Sequence, residues 1–333
     1  MRQQYTACLR MRIILLLLSF CLICSAQMPV IFDTDMGNDV DDALALAMLH
    51  SLTSRGECRL LGVTLTNANA SAVPYVRLVN AFYGRGELPV GTAITAIDGG
   101  DKDGYLSATL KAAPESLAAA ARATVAAEPA VSLLRRLLAD SSEKVTIVQV
   151  GFSTNLAALL DSKPDRFSPL KGLELVREKV ALVSAMAGNF TGGAPEYNVK
   201  LDIPAARTVF DRWPTPVIFS GFEIGRELLY PAVRIEHDFS YAPWHPIPAS
   251  YRAYNKMPYD RPTWDLTAVL AAVRADHRYF NLSADGRVQV ADDGRTTFKP
   301  GPGDRRYLRL EAGQKERIME ALTLLASEPP RTK

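Results

Sequence analysis

The sequence predicts an α/β fold: an open, mostly parallel β-sheet flanked by helices, in a single domain that ends in a small β-hairpin and a helix. Three observations carry this. Short continuous apolar runs rich in β-formers recur along the chain. Each is followed by a polar loop and then by an Ala/Leu-rich stretch without breakers. No internal repeat, low-complexity tract or long linker interrupts the pattern. Continuous apolar runs suit strands covered on both faces, and their alternation with helices is the pattern of parallel βαβ units. With 333 residues, 48% of them hydrophobic, the chain can bury a sizeable core.

Residues 1–26 stand outside the pattern. Arg2, Arg10 and Arg12 make a basic start, residues 13–24 are almost wholly apolar, and Cys24-Ser25-Ala26 puts small residues before Gln27. This is the layout of a secretory signal peptide, too short for a comfortable membrane span. The expectation is an exported protein, periplasmic or extracellular, with its domain over 27–333 and no stable membrane span once the leader is cleaved. The alternative is an uncleaved N-terminal anchor. Losing the leader removes three of the 38 basic residues and none of the 36 acidic ones, which turns a formal charge of +2 into −1. A near-neutral chain without basic clusters argues against a nucleic-acid binder. Cys8, Cys21 and Cys24 leave with the leader, so Cys58 has no partner for an intrachain disulfide. Its place before an apolar strand-like run reads as a structural thiol.

In order along the chain, residues 28–32 read as a buried strand ending at Asp33, and the Ala/Leu/Met-rich 43–50 as a helix. Residues 60–65 form the next strand, followed by a polar loop through Asn67 and Asn69 and a helix over 73–83. Pro89-Val90-Gly91 is a strand end, the Ala-rich 117–127 a helix, and 131–139 an amphipathic helix. Strands follow over 145–150, 180–186 and 216–220, with a loop and a second Ala/Leu helix after Gly151. Residues 100–113 and 241–262 are longer excursions carrying Pro, Tyr and Trp, of the kind that cover a site. Near the end, 286–290 alternates, Asp293-Gly294 signals a hairpin turn, and Ile318, Leu322 and Leu325 line one face of a terminal helix.

The first strand runs into Asp33-Thr34-Asp35-Met36-Gly37-Asn38-Asp39-Val40-Asp41-Asp42. Five carboxylates in so short a loop repel one another unless a cation balances them or water solvates them. Hard divalent ions, calcium above all, take carboxylate and carbonyl oxygens, and the C-terminal end of a strand is where open parallel sheets place ligands. Gly37 lets the loop turn with several acids pointing inward. The plainer reading is a solvated acidic turn in which Asp42 caps the next helix. The strand–loop–helix setting favours the metal. Haloacid-dehalogenase-type phosphatases also open with a strand and Asp-x-Asp, but they follow the pair with a hydrophobic or small residue and a Thr, unlike Met36-Gly37-Asn38 here.

Val30-Ile31-Phe32-Asp33-Thr34-Asp35-Met36-Gly37, with Asp41-Asp42-Ala43-Leu44-Ala45, resembles the nucleoside hydrolases of the inosine-uridine-preferring type, in a secreted bacterial branch. The family form is D-x-D-x-G-x-D-D-A, and this chain inserts two residues between the glycine and the paired Asp. Further matches follow in order: Gly62 to Asn69, Val150 to Ala157, Met186-Ala187-Gly188-Asn189 with Glu196-Tyr197-Asn198, and Trp264-Asp265. They span about residues 30–273.

The resemblance implies a calcium-dependent hydrolase that splits the N-glycosidic bond of ribonucleosides with a metal-activated water. Asp35, Asp42 and Asp265 would hold the calcium through carboxylates and Val150 through its carbonyl, with Asp35 also the general base. Asp41, Asn69, Glu196 and Asn198 would bind ribose hydroxyls, with Asn189 nearby and Asp33 behind the metal loop; Asp39 has no role in the pattern. Each has a plainer reading: Asn67 and Asn69 as turn-formers, Glu196 and Asn198 as caps of a helix at Pro204, and Asp265 as a helix cap. Trp264 stands where purine-cleaving members carry a His, which leaves base-stacking by Trp264, or leaving-group help from His245, Tyr254, Tyr259 or solvent. Family members are often homo-oligomers. A nucleoside- or sugar-binding protein without efficient turnover is the alternative function.

Overall fold

A computed structural model describes residues 27–99, 104–122 and 127–331. The leader lies outside them, as do four residues of the first excursion and 123–126 of the Ala-rich stretch.

Strand β1 (Met28–Thr34) is followed by helix α1 (Asp41–Ser54), then β2 (Cys58–Asn67), α2 (Ala72–Phe82) and β3 (Val90–Ile97). Helices α3 (Tyr105–Ala112) and α4 (Glu115–Arg122) lead to the short β4 (Glu128–Pro129), α5 (Ala130–Asp140), β5 (Val145–Gln149), α6 (Thr154–Leu160), α7 (Gly172–Lys179) and β6 (Val180–Met186). Next come α8 (Tyr197–Leu201), α9 (Ile203–Arg212), β7 (Val217–Ser220), α10 (Phe222–Glu227), β8 (Leu229–Tyr230), α11 (Ala232–His237), α12 (Pro246–Tyr254), β9 (Arg261–Pro262) and α13 (Trp264–Val273). The chain ends through β10 (Asn281–Leu282), β11 (Gly286–Val290), β12 (Thr296–Pro300), β13 (Arg305–Arg309) and α14 (Lys315–Ser327).

The strands of the main sheet lie in the order β12-β11-β13-β7-β6-β5-β1-β2-β3-β4, with β10 beside β13. From β4 to β13 every neighbouring pair is parallel. The predicted C-terminal hairpin is present, with Val290 opposite Thr296, and β13 joins it to the edge of the main sheet instead of leaving it separate. The Ala-rich stretch is helical over Glu115–Arg122, and the part of it at 123–126 lies outside the described residues.

Side-chain alternation along β1 explains the two helical layers. Val30 and Phe32 face a core shared with α1, α13 and α14, while Ile31 faces the opposite core of α5, α6, α7 and α9. A strand buried on both sides must be apolar throughout, which is why 28–32 reads as a continuous run. The order in which strands are added reverses at β1: β2 and β3 lie on one side, β5 and β6 on the other. Loops leaving β1 and β5 therefore part at their C-terminal ends and open a crevice there. No described helix is long and apolar enough to cross a membrane.

Candidate active site

The acidic loop leaves β1 at that crevice. Gly37 has φ +123°, a conformation that side chains with a Cβ rarely adopt, and the chain reverses there. Asp41 and Asp42 fall inside the first turn of α1, and the cap residue is Val40, which makes no side-chain capping bond. The acids thus sit at the positive end of the helix dipole without being spent as caps. Thr34 Oγ1 donates to Asp42 and accepts the Met36 N–H at 3.1 Å, which fixes the turn.

Helix α13 brings the third acid. Its cap is Thr263, so Asp265 is again in a first turn, and its N–H donates to Asp41 Oδ2 at 3.1 Å. Asp41, Asp42 and Asp265 are buried, and each offers a carboxylate oxygen within 4.8 Å of the others. Burial, then the charges of neighbouring acids, raises the pKa of Asp41 and Asp265 well above the carboxylate range. Asp42 is raised likewise, by burial and then by Asp35, against the Thr34 hydrogen bond. Asp35 lines the same cavity but lies outside the three-acid cluster; burial raises its pKa, and Asp41, Glu196 and Asp39 add to it. Its Oδ2 is buried with no hydrogen-bond partner among the described residues. An all-oxygen set of buried acids, one with an orphaned oxygen, fits a hard divalent cation.

Along the next wall, Asn198 Nδ2 donates to the carbonyls of Val150 at 2.7 Å and Met186 at 3.1 Å, tying the ends of β5 and β6 together. Val150's carbonyl keeps a second lone pair for a ligand. Glu196 caps α8, accepting from the N–H groups of Asn198 at 2.8 Å, Val199 at 3.1 Å and Gly188 at 3.1 Å. Burial pushes Glu196 up to about 7 in spite of these bonds. The helix beginning near Pro204 is capped by Asp202 instead, through Ala205 N–H at 3.2 Å. Val150, Glu196 and Asn198 all line the cavity.

Asn69 and Asn189 are not among the lining residues. Asn69 accepts the Ser71 N–H at 2.8 Å before α2, and Asn189 donates to the Ala194 carbonyl at 3.3 Å. The buried Asn67, two residues earlier, donates to the Asp35 carbonyl at 3.2 Å. Asp33 lies behind the loop, accepting from Thr64 Oγ1 at 2.5 Å and Asn155 Nδ2 at 2.7 Å; burial pushes it up to about 7.

The remaining wall carries Asn38, Asp39, Phe222, Tyr254, Arg261 and Trp264. Trp264 Nε1 donates to the Phe222 carbonyl at 2.9 Å, and the two rings stack at 5.5 Å. Arg261, which sequence reading did not single out, donates Nε to Asp39 Oδ1 at 2.9 Å and Nη2 to Asp39 Oδ2. Burial works against its charge, but the bonds to Asp39 outweigh it and raise the guanidinium pKa. The only signal in the sequence was the two-residue insertion that supplies Asp39. His245 points elsewhere: Tyr241 lies 2.8 Å from its Nε2, its Nδ1 accepts the Ile247 N–H at 3.1 Å, and burial lowers it to about 3. Tyr259 donates to the Tyr251 carbonyl at 2.8 Å and is absent from the lining. Cys58 is buried and its thiol is pushed up to about 11, as a structural thiol would be.

Together these groups enclose a cavity of about 230 Å³. It can hold a cation against carboxylates, a polyhydroxylated ring against Glu196 and Asn198, and a flat group against Trp264.

The family model described as inosine-uridine preferring nucleoside hydrolase matches residues 30–319. The pyrimidine-specific ribonucleoside hydrolase RihA of Salmonella typhimurium is 29% identical over 215 residues, 63% of this chain and 65% of that protein. RihA of Citrobacter koseri is 30% identical over 206 residues, 59% of this chain and 61% of that protein. The chain thus spans less than two thirds of the length of these curated relatives. Among solved structures, the inosine-uridine preferring nucleoside hydrolase from Bacillus anthracis superposes with a TM-score of 0.70 at 18% identity, over 90% of this chain and 99% of that one. At that identity the likeness speaks to fold.

Proposed function

The chain belongs to the inosine-uridine preferring nucleoside hydrolase family, and from that premise we propose that it hydrolyses the N-glycosidic bond of ribonucleosides to ribose and free base, with calcium as its cation. The observation that carries this reading is the meeting of Asp41, Asp42 and Asp265 with the orphaned carboxylate oxygen of Asp35 in one cavity.

Asp41, Asp42 and Asp265 would hold the cation, with the carbonyl of Val150. When bound, a hard divalent ion polarises a water and the sugar hydroxyls and lowers the water's pKa. A donor set made of carboxylate and carbonyl oxygens would suit calcium, which takes more oxygen ligands than magnesium and tolerates flexible geometry. Asp35 accepts the proton of the attacking water; its place in the wall of the same cavity and its Oδ2 without a hydrogen-bond partner support that role. Glu196 and Asn198 orient ribose hydroxyls. The surrounding carboxylates favour the positive charge that develops on the sugar ring. Trp264 offers its face to the base. The basic and apolar leader supports export, which N-terminal sequencing of the protein from a secretion host would test by a start at Gln27.

The test is ribose release from a panel of purine and pyrimidine nucleosides, with and without chelator, for the native chain and Asp35→Asn. Release that is lost in both arms supports the reading. Unchanged release after both, or tight nucleoside binding with no product over long incubation, overturns it.

A further inference from the structure

Arg261 is the one cation among the described residues that line the cavity, and no histidine joins it there. It is held on three sides. Asp39 takes Nε and Nη2, Tyr254 Oη accepts from Nη2 at 3.1 Å, and the guanidinium lies 5.2 Å from the Tyr254 ring centroid and 5.4 Å from that of Trp264. Nη1 has no acceptor among the described residues. Asp39 is itself anchored, accepting the Val40 N–H at 2.6 Å and, at its backbone carbonyl, the Tyr105 hydroxyl at 2.6 Å. The residue that the family pattern leaves without a role is therefore the one that aims the guanidinium.

Cleavage of an N-glycosidic bond separates charge. The C1′–N bond breaks with its electron pair leaving on the base, while the ring becomes positive. Water supplies the oxygen of the new bond at C1′ and gives up a proton to a carboxylate. A bare departing base is a poor leaving group and needs either a proton or a positive partner. A guanidinium keeps its proton at any ordinary pH, so Arg261 cannot act as the acid. It can donate hydrogen bonds from Nη1 and place positive charge beside the base. Solvent protonates the base afterwards.

We propose that Arg261, aimed by Asp39 of the two-residue insertion, stabilises the departing base in place of an acid. This rests on the N-ribosyl hydrolase reading above. Arg261 would touch the base; Asp39 is a positioning residue.

The experiment compares two substrates on the same variants: inosine, whose base leaves poorly, and p-nitrophenyl β-D-riboside, whose aryl oxide leaves without help. Arg261→Gln should lower kcat/KM for inosine by about 100-fold while the aryl riboside changes by less than about threefold. Asp39→Asn should shift the two rates in the same selective way, by less. The aryl rate also reports that each variant is folded. Parallel loss on both substrates in both variants, or no loss on inosine, overturns the assignment. A native chain that hydrolyses neither substrate overturns the ribosyl reading and this assignment with it, an outcome distinct from the variant results.

Discussion

The backbone N–H of Asp265 donates to the carboxylate of Asp41 at 3.1 Å, across 224 positions of sequence. That bond joins the first turns of α1 and α13, so two helix starts present their acids to one point. An Asn at position 41 can still accept it through its amide oxygen. We therefore expect Asp41→Asn to raise the melting temperature without divalent ions, because it removes one buried like charge. Each 1 kcal/mol relieved would appear as about 2–4 °C. The same variant should lose most of the stabilisation given by added calcium. Thermal melting with and without calcium checks both; a variant that melts lower than the native chain without calcium contradicts the repulsion.

Stability should also depend on pH. Asp33 and Glu196 each titrate at about 7 in the fold, against about 4 in the unfolded chain, because burial penalises their charge. For carboxyls raised in this way, the folded state holds extra protons between the two values. Stability without divalent ions is then highest below about pH 4 as far as these groups are concerned, and declines as pH rises through about 7. Calcium should tighten with rising pH as the raised carboxyls of Asp41, Asp42 and Asp265 give up their protons, releasing protons as it binds. Melting curves from pH 5 to pH 8, with calcium or with chelator, measure this. A chelated chain whose stability rises steadily across that range would contradict it.

Asp35 can serve as base or as ligand, and one variant separates the two. As base, Asp35→Asn should lower kcat by about 10²–10⁴ and leave the calcium-induced rise in melting temperature intact. Disappearance of that rise would instead make Asp35 a ligand alongside the three clustered acids.

A Cβ at Gly225 would come within 2.4 Å of the Trp264 Cα. Helices α10 and α13 cross too closely there for any side chain. Gly225→Ala should displace Trp264 from the cavity wall and raise KM for nucleosides more than it lowers kcat, with a stability loss of about 1–3 kcal/mol from overpacking. Unaltered kinetics in a folded variant would show that the position of Trp264 does not matter to the substrate.

Much of the frame was legible along the chain. Residues 28–32, 60–65 and 180–186 read as buried strands because a strand covered on both faces is apolar throughout, and all three are strands of the main sheet. The hairpin at Asp293-Gly294 was legible because its turn needs a residue at positive φ, and Gly294 has φ +83°. Element ends were less so: the strand read over 60–65 runs from Cys58 to Asn67, through polar residues at both ends that carry no strand signal.

The acidic loop after β1, and the strand–loop–helix setting that makes it a candidate cation site, follow from the sequence alone, since both depend on neighbours within a few residues. Which acids converge does not. Only the tertiary structure groups Asp41 with Asp42 and Asp265 and leaves Asp35 beside them. Only it directs Asn67 toward the loop carbonyl while Asn69 turns to its own helix start, and buries His245 against Tyr241. The Asp39–Arg261 pair spans 222 positions. Local periodicity reports which way a side chain faces within its element, and says nothing about which distant element folds back to meet it.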